Sequence, residues 1–261
     1  MIEVAPIEEP AVDEHAAGQA ARRTQGLAFD TAYGPLVAIC GLCGGAGVST
    51  LSYTLAAAAA ERSTQPVFAC ETSGMTGGLA LYARAQPRLS LSQAADQLVA
   101  GTPPSGLVVS SPERVRVLGS RPALAEQCDA DGAERILSEA RAAGGLVVLD
   151  CGAADHEVDR VALSASSHVL WVIPATASGI ARGEHALKLL AEFARGEQAL
   201  VARLERNENA AAVSRLADLA ARWELELILF PHVEDVAQAL VEEAIEEAQV
   251  ALEAIAAVLR R

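Results

Sequence analysis

The sequence predicts an α/β fold with a mainly parallel sheet and helices on both faces of that sheet. Short apolar runs of strand length alternate with Ala-rich helical runs from Pro35 onward. The connections between these runs are short, which favours strand–helix–strand crossovers. The 261 residues are 51% hydrophobic but only 3% aromatic, so Ala, Val, Leu and Ile are expected to build one large core.

Each predicted strand is a short apolar run, often bounded by Gly, Pro or polar residues. The run ending at Asp150 is continuously apolar, as expected of a strand that is buried on both faces. The predicted strands are Leu36 to Cys40, Val67 to Cys70, Val115 to Leu118, Leu146 to Asp150, His168 to Ile173, Ala199 to Leu204 and Leu225 to Phe230. The predicted helices are Leu51 to Arg62, Leu91 to Val99, Ala133 to Ala143, Gly179 to Ala194, Ala210 to Trp223 and a last helical region from Val236 to Arg261.

The first 34 residues differ in composition from the rest of the chain. They carry several acidic residues and show no sustained apolar period, which predicts a flexible acidic leader over 1–34. This leader is either a solvated tail or a docking segment for a partner. Residues 35–261 are expected to form a single α/β domain.

The charge of the chain limits the partners that it can bind. A formal charge of −14 and a pI near 4.8 argue against nucleic-acid binding, which depends on clustered Lys and Arg. The N-terminus lacks the features of a signal peptide, and no apolar run reaches the roughly 18 residues of a membrane span. A cytoplasmic location is therefore expected. The acidic C-terminal helix is expected to pack on the sheet or on a partner subunit.

Five cysteines in a chain without an export signal are expected to be reduced. Cys43, Cys70 and Cys151 each follow or end a predicted strand, so they could converge at one edge of the sheet. No second Cys-x-x-Cys pair accompanies Cys40 and Cys43. Small buried thiols are therefore expected rather than a metal site.

A glycine-rich segment joins the first predicted strand to the first predicted helix. It reads Cys-Gly-Leu-Cys-Gly-Gly-Ala-Gly-Val-Ser-Thr from Cys40 to Thr50. Such a segment can aim backbone N–H groups at phosphates, with a lysine and a Ser/Thr hydroxyl completing the site. Val48 stands where that lysine is expected, and Lys188 is the only lysine in the chain. A tight strand-to-helix turn without a ligand is the alternative interpretation.

The spacing from Gly44 to Thr50 resembles the deviant Walker loop of the ParA/MinD family of ATPases. Other parts of the chain are similar to further family segments: Gln65 to Gly74, Leu146 to Ala154, Val172 to Arg182, and Phe230 to Val236. The resemblance covers most of the chain from Pro35 onward. It implies a P-loop fold and a nucleotide site at the carboxyl ends of the strands.

The resemblance implies specific roles for the residues that match the family motif. Ser49 would bind Mg²⁺, Thr50 would help to hold the α-phosphate, and Asp150 would act through the Mg²⁺ water shell. Glu71 stands where relatives have an aspartate, and Pro231 would lie beside the base. The residues expected to contact ATP or ADP are Gly44, Gly45, Ala46, Gly47, Val48, Ser49, Thr50, Glu71, Asp150 and Pro231. Plain alternatives are a solvent-facing cap for Asp150 and a solvated edge residue for Glu71.

Two departures from the family pattern predict a degenerate site. Cys43 replaces the signature lysine of the family, and Val48 replaces the in-line lysine. Phosphoryl transfer depends on positioning and electrostatics, so each lost charge could cost roughly 2–4 kcal/mol at the transition state. Efficient ATP hydrolysis is not expected, and ATP or ADP binding with Mg²⁺ is expected to be weak or lost. An arginine supplied in trans could replace a charge, with Arg182 and Arg84 as candidates.

Within the family, the chain looks most like atypical TadZ/CpaE-like members that lack an ordinary site. This resemblance implies a homodimeric spatial organiser or adaptor that binds protein partners of a pilus or secretion assembly. One alternative is an active nucleotide-switched ATPase in partitioning or division-site placement. Another is a structural subunit that binds no nucleotide.

Overall fold

The computed structural model describes residues 34–72, 78–86, 89, 91–102, 108–118, 129–143, 145–207, 210–233 and 241–261. The predicted acidic leader lies outside the described residues, apart from Gly34. The division of the chain into a leader and one domain therefore stays a prediction.

The described residues contain an eight-stranded sheet, as the sequence predicts for an α/β fold. The strands are β1 Leu36–Gly41, β2 Phe68–Glu71, β3 Val109–Ser110, β4 Arg116–Leu118, β5 Val147–Asp150, β6 His168–Pro174, β7 Glu197–Arg203 and β8 Glu226–Phe230. Their order across the sheet is β3-β4-β2-β5-β1-β6-β7-β8. All neighbouring pairs are parallel except β3 and β4, which are antiparallel. The prediction of a mainly parallel sheet is confirmed.

Helices cover both faces of this sheet. They are α1 Val48–Arg62, α2 Gly78–Tyr82, α3 Leu91–Val99, α4 Ala130–Ala142, α5 Glu157–Ala165, α6 Ala177–Leu190, α7 Ala210–Arg222, α8 Val241–Glu247 and α9 Gln249–Val258. One face packs against α1, α2, α8 and α9, and the other packs against α3 to α7. The acidic C-terminal segment therefore packs on the sheet, which is one of the two expected positions.

Three helical predictions need correction. The helix α5 was not predicted, although its nine residues equal those of the predicted α3 and its buried Val158, Ala162 and Leu163 recur at helical spacing. The helix predicted to reach Ala194 ends at Leu190 and continues as a 3₁₀ turn over Ala191–Phe193. The last helical region is two helices rather than one. The break falls at Ala248, a residue type that favours helix and gives no sequence signal for a break.

The strand order places β1, the strand that leads into the glycine-rich segment, in the interior of the sheet. β1 lies between β5 and β6 and is completely buried. Because these strands are parallel, their carboxyl ends meet at one edge of the sheet, where ligands of open α/β sheets bind. None of the helices in the described ranges is long and apolar enough to cross a membrane.

Candidate functional site

The glycine-rich segment leaves β1 under tight backbone constraints. The Gly41 N–H donates to the Gly152 carbonyl at 2.7 Å, and the Leu42 N–H donates to the Val172 carbonyl at 2.9 Å. A Cβ atom at Gly41 would lie only 2.9 Å from Val48 Cγ2 and 3.1 Å from the Gly152 carbonyl oxygen. The end of β1 is thereby fixed to the residues that follow β5 and to β6.

The loop itself has the backbone geometry of an anion-binding turn. Gly45 and Gly47 have φ values of 71° and 93°, which residues with a side chain rarely adopt. Gly47 caps α1, and its carbonyl accepts from the Leu51 N–H at 3.0 Å. A Cβ atom at Gly44 or Gly45 would meet nothing within 4 Å. The turn is therefore open at Gly44 and Gly45, just before the N-terminus of α1, and glycine turns at such positions favour an anion.

The residue in the place of the in-line lysine is an apolar packing residue. Val48 is 7% exposed and belongs with Ala46 to the core beneath the loop. Its Cγ2 and the Ala46 Cβ both crowd the position that a Cβ of Gly41 would occupy. Position 48 therefore contributes packing beneath the loop and no positive charge.

Asp150 ends β5 and faces the start of α1. It is 2% exposed, so the interpretation of this residue as a solvent-facing cap is wrong. Its Oδ1 accepts from the Gly152 N–H at 3.1 Å, whereas its buried Oδ2 has no hydrogen-bond partner among the described residues. Burial raises the pKa of Asp150 to about 6, and the nearby Ser49 hydroxyl opposes this rise as a hydrogen-bond donor.

Asp150 and Ser49 together offer oxygen ligands that suit a hard divalent cation. Mg²⁺ prefers oxygen ligands and keeps most of its water shell. The unpartnered Oδ2 of Asp150 and the Ser49 hydroxyl supply such oxygens on the inner side of the loop. Bound Mg²⁺ would neutralise the negative charge of the carboxylate and of adjacent phosphates.

Further acidic residues surround Asp150. Glu71 pairs with Asp150 across β2 and β5 and is only 2% exposed, so it is not a solvated edge residue. Thr72 donates to Asp159 Oδ1 at 2.6 Å and to the Asp150 carbonyl at 3.1 Å. The His156 N–H donates to Asp159 Oδ2 at 3.0 Å. Glu71 and Asp159 both add to the rise in the pKa of Asp150, so this side of the site favours a cation.

The positions of Thr72 and Asp159 beside Asp150 were not predicted from the sequence. Thr72 lies two residues after the predicted second strand and directly follows β2 as observed, so its position near the end of that strand was a usable signal. Asp159 lies in α5, a helix that the sequence did not predict.

Two other residues expected to contact nucleotide, Thr50 and Pro231, lie outside the glycine turn. The Thr50 hydroxyl donates to the Tyr82 hydroxyl in α2 at 3.3 Å. Pro231 directly follows β8 at the same edge of the sheet, and only 231–233 of the segment resembling the base contact are described. Their roles in binding nucleotide stay predictions.

Positive charge reaches the loop from two arginines. Burial raises the pKa of the half-buried Cys43, and Arg182 and Arg203 oppose this rise through their charges. Arg182 is one of the two arginines named from the sequence. The other, Arg84, lies near Tyr53 in α1, where it opposes the rise in the pKa of Tyr53 caused by burial and by Glu113.

The sequence did not single out Arg203. It ends β7, two strands away from β1. The usable signal was its place at the carboxyl end of a predicted strand, since that is the edge at which ligands bind.

Three of the four described cysteines, Cys40, Cys70 and Cys151, are small buried thiols, as the sequence predicts. Cys40 and Cys151 lie side by side, and the Cys40 thiol, together with burial, raises the pKa of Cys151 well above its ordinary value. Cys70 is also buried, and Cys43 is half-buried. Over the ranges that the structure covers, no group of three or more His, Cys, Asp or Glu residues could hold a metal ion.

The chain is similar in structure to several solved P-loop proteins. A ParA family ATPase from Chlorobium tepidum has a TM-score of 0.70 at 14% identity, covering 87% of this chain and 99% of that one. The MinD cell division protein of Aquifex aeolicus has a TM-score of 0.64 at 16% identity, covering 85% and 95%. Cobyrinic acid a,c-diamide synthase from Mycobacterium smegmatis, with an ATP analogue and magnesium, has a TM-score of 0.64 at 18% identity, covering 84% and 92%.

Comparisons at the level of sequence find no match. No protein-family model and no curated protein sequence matches the chain. The structural likeness therefore concerns the fold, since one fold supports several activities. The mostly parallel eight-stranded sheet with its covering helices is the fold of the ParA/MinD P-loop ATPases.

Proposed function

We propose that the chain is a degenerate ParA/MinD-like protein that organises or recruits a larger assembly and hydrolyses ATP weakly or not at all. The observation that carries this proposal is the buried position of Val48 beneath the loop. An apolar side chain there supplies no charge to a transferring phosphoryl group. Cys43, in the place of the second lysine, supplies none either. Catalysis of phosphoryl transfer consists almost entirely of positioning the reacting groups and stabilising charge.

The proposal includes weak binding of ATP or ADP with Mg²⁺. It is supported by the open backbone turn at Gly44 and Gly45, and by Ser49 beside the unpartnered Oδ2 of Asp150. Solved proteins with this fold contain an ATP analogue or ADP with magnesium. A nucleotide would then stabilise one conformation or dimer of the protein rather than drive a cycle of turnover.

The partners in this proposal are other proteins. One solved neighbour is a MinC:MinD cell division complex from Aquifex aeolicus, so protein complexes occur on this fold. The TadZ/CpaE-like resemblance of the sequence supports a cytoplasmic homodimer that helps to place pilus or secretion machinery. The strongly acidic chain favours partner surfaces that carry positive charge.

Two other functions have specific support. An active nucleotide-switched ATPase for partitioning or division-site placement is favoured by Ser49 and Asp150, which keep the oxygens needed for Mg²⁺. A structural subunit without nucleotide is favoured by Val48, which fills the space beneath the loop. The three functions differ in two measurable quantities, nucleotide affinity and turnover.

The test combines a biochemical and a cellular measurement. Calorimetric titration with ATP and Mg²⁺, followed by a phosphate-release assay, should show weak binding without turnover. A fluorescent fusion in the host cell should form foci that persist in the Asp150→Asn and Ser49→Ala variants. Turnover above background, or foci that vanish in both variants, would contradict the proposal. An exposed change, Asp218→Asn in α7, serves as the control.

A further inference from the structure

We propose that Arg203 is a phosphate-binding residue, which replaces from β7 the positive charge that the loop has lost at positions 43 and 48. The ligand class is a nucleoside polyphosphate seated on the backbone turn at Gly44 to Gly47. This inference rests on the part of the proposed function in which the site binds nucleotide without turning it over. It assigns the charge to a residue that lies outside the loop.

The side chain of Arg203 lies directly against the loop. Its Cδ is 2.9 Å, and its Nε 3.7 Å, from the position that a Cβ of Gly47 would occupy. Gly47 caps α1, so this contact places the guanidinium group beside the positive end of a 15-residue helix. The guanidinium group and the N-terminus of α1 are both positive and lie side by side, an arrangement that an anion would stabilise.

The hydrogen bonds of the guanidinium group are incomplete. Its Nη2 donates to Glu205 Oε1 at 2.9 Å, whereas its Nε is buried and has no acceptor among the described residues. A buried donor without an acceptor is costly, and the cost is higher for a charged group. A phosphate oxygen on the loop would satisfy this donor, because a guanidinium group matches phosphate geometry.

Other charges near the loop strengthen the case for Arg203. Arg182, from α6, also lies near Cys43 at the start of the loop. On the inner side, Asp150 and Glu71 are buried carboxyl groups that would repel a phosphate. Arginines outside the loop would offset this repulsion, and Arg203 lies against Gly47 of the loop.

The ion pair between Arg203 and Glu205 allows an experiment to distinguish two roles of Arg203. Each role predicts a different change in ATP affinity when the charge of Glu205 is removed. If Arg203 only packs against Gly47, removal of the Glu205 charge loosens that packing and leaves nucleotide affinity unchanged or lower. If Arg203 binds phosphate, Glu205 competes with the phosphate for the same guanidinium group. The Glu205→Gln variant should then bind ATP more tightly.

The experiment is calorimetric titration of the full chain with ATP and Mg²⁺, and with tripolyphosphate and adenosine as separate probes. Arg203→Gln should weaken ATP binding by about 10- to 100-fold, the loss of one charge-assisted hydrogen bond. Arg203→Lys should recover part of this loss, and Glu205→Gln should tighten binding about threefold or more. Arg215→Gln, an exposed arginine of α7, is the matched control and should bind as the wild type does.

The three probes distinguish the phosphates from the base. Tripolyphosphate should follow the same order of variants as ATP, whereas adenosine should not respond to Arg203. Thermal unfolding of each variant reports whether it folds. If Arg203→Gln does not fold, Arg203→Lys and Glu205→Gln carry the test.

Several results would overturn the inference. They are equal ATP affinity in wild type and Arg203→Gln, weaker binding in Glu205→Gln, or no binding by the wild type and Glu205→Gln at millimolar ATP. None of these results involves ATP hydrolysis, so each of them is compatible with the proposed adaptor function. Phosphate release by the wild type would instead contradict the adaptor function and leave the assignment of Arg203 intact.

Discussion

Arg203 at the end of β7 contacts Gly47 at the start of α1, with its Cδ 2.9 Å from the place of a Gly47 Cβ. This contact joins the loop that follows β1 to β7, a strand that is not adjacent to β1 in the sheet. It also brings a guanidinium group to a loop whose own positions 43 and 48 are uncharged. The electrostatics of this site therefore depend on residues outside the glycine motif.

Gly47→Ala is expected to destabilise the protein by about 1–3 kcal/mol, because a residue with a Cβ is strained at the positive φ of this position and the Cβ would collide with Arg203. Gly44→Ala is the matched control. A Cβ there meets nothing within 4 Å, so its effect should stay within about 0.5 kcal/mol. Urea unfolding of both variants provides the measurement. Equal stabilities would show that the loop is not held in this conformation.

Val48→Lys is expected to lower stability and raise nucleotide affinity. Burying an ammonium group beneath the loop should cost about 1–3 kcal/mol in the absence of ligand. If the backbone turn is intact, ATP should bind about tenfold more tightly than to wild type. Val99→Lys, at a valine that is 67% exposed, controls for the added charge. Unchanged ATP affinity would mean that the loop cannot accept phosphate.

Asp150 should make the stability of the protein fall as pH rises from about 4 to about 6. Its pKa is raised from 3.8 to about 6, so the folded state holds a proton that the unfolded state has released. Stability therefore decreases through this window, by an upper limit of about 3 kcal/mol. Asp150→Asn should remove most of this loss and be the more stable protein at pH 7.5.

Thermal unfolding between pH 4 and pH 8 measures this effect. Asp218→Asn, at an exposed carboxyl group, is the control and should keep the slope of the wild type. A variant at Asp150 with an unchanged slope would rule out this residue as the source of the pH dependence.

Tyr53→Phe should destabilise the protein by about 1–3 kcal/mol. The Tyr53 hydroxyl in α1 donates to Glu113 Oε2, in the turn between β3 and β4, and the variant leaves that carboxylate without its donor. Tyr82→Phe is the comparison, because its bond with Thr50 is longer, at 3.3 Å, and joins two uncharged groups. Denaturant unfolding should rank Tyr53→Phe as the more damaging change. The reverse order would show that the turn is not held through Tyr53.

Much of the fold is predictable from the sequence because local patterns and burial agree. The apolar run ending at Asp150 could only be a strand buried on both faces, and β5 has that position. Weak signals account for two of the misses: the two-residue β3 is too short to show a period, and Ala248 breaks a helix without any breaker residue. The sequence did carry a signal for α5, because its buried Val158, Ala162 and Leu163 recur at helical spacing.

In the candidate site, too, the residues of a local motif are predictable from the sequence, whereas residues that are distant in the chain are not. Residues within a continuous motif, such as Gly47 and Ser49, can be recognised by their spacing alone. Arg203 is 156 residues beyond Gly47 in the sequence, and Asp159 reaches the site through Thr72. Such long-range pairs depend on strand order, which the sequence does not display.

The most direct test of the central claim is phosphate release by the purified full chain with saturating ATP and Mg²⁺. The account predicts no turnover above the background measured with the Asp150→Asn variant. Restoring both charges, with Cys43→Lys and Val48→Lys together, should be required before any phosphate release is seen. Steady turnover by the wild-type chain, abolished in Asp150→Asn, would contradict the claim that the site has lost hydrolysis.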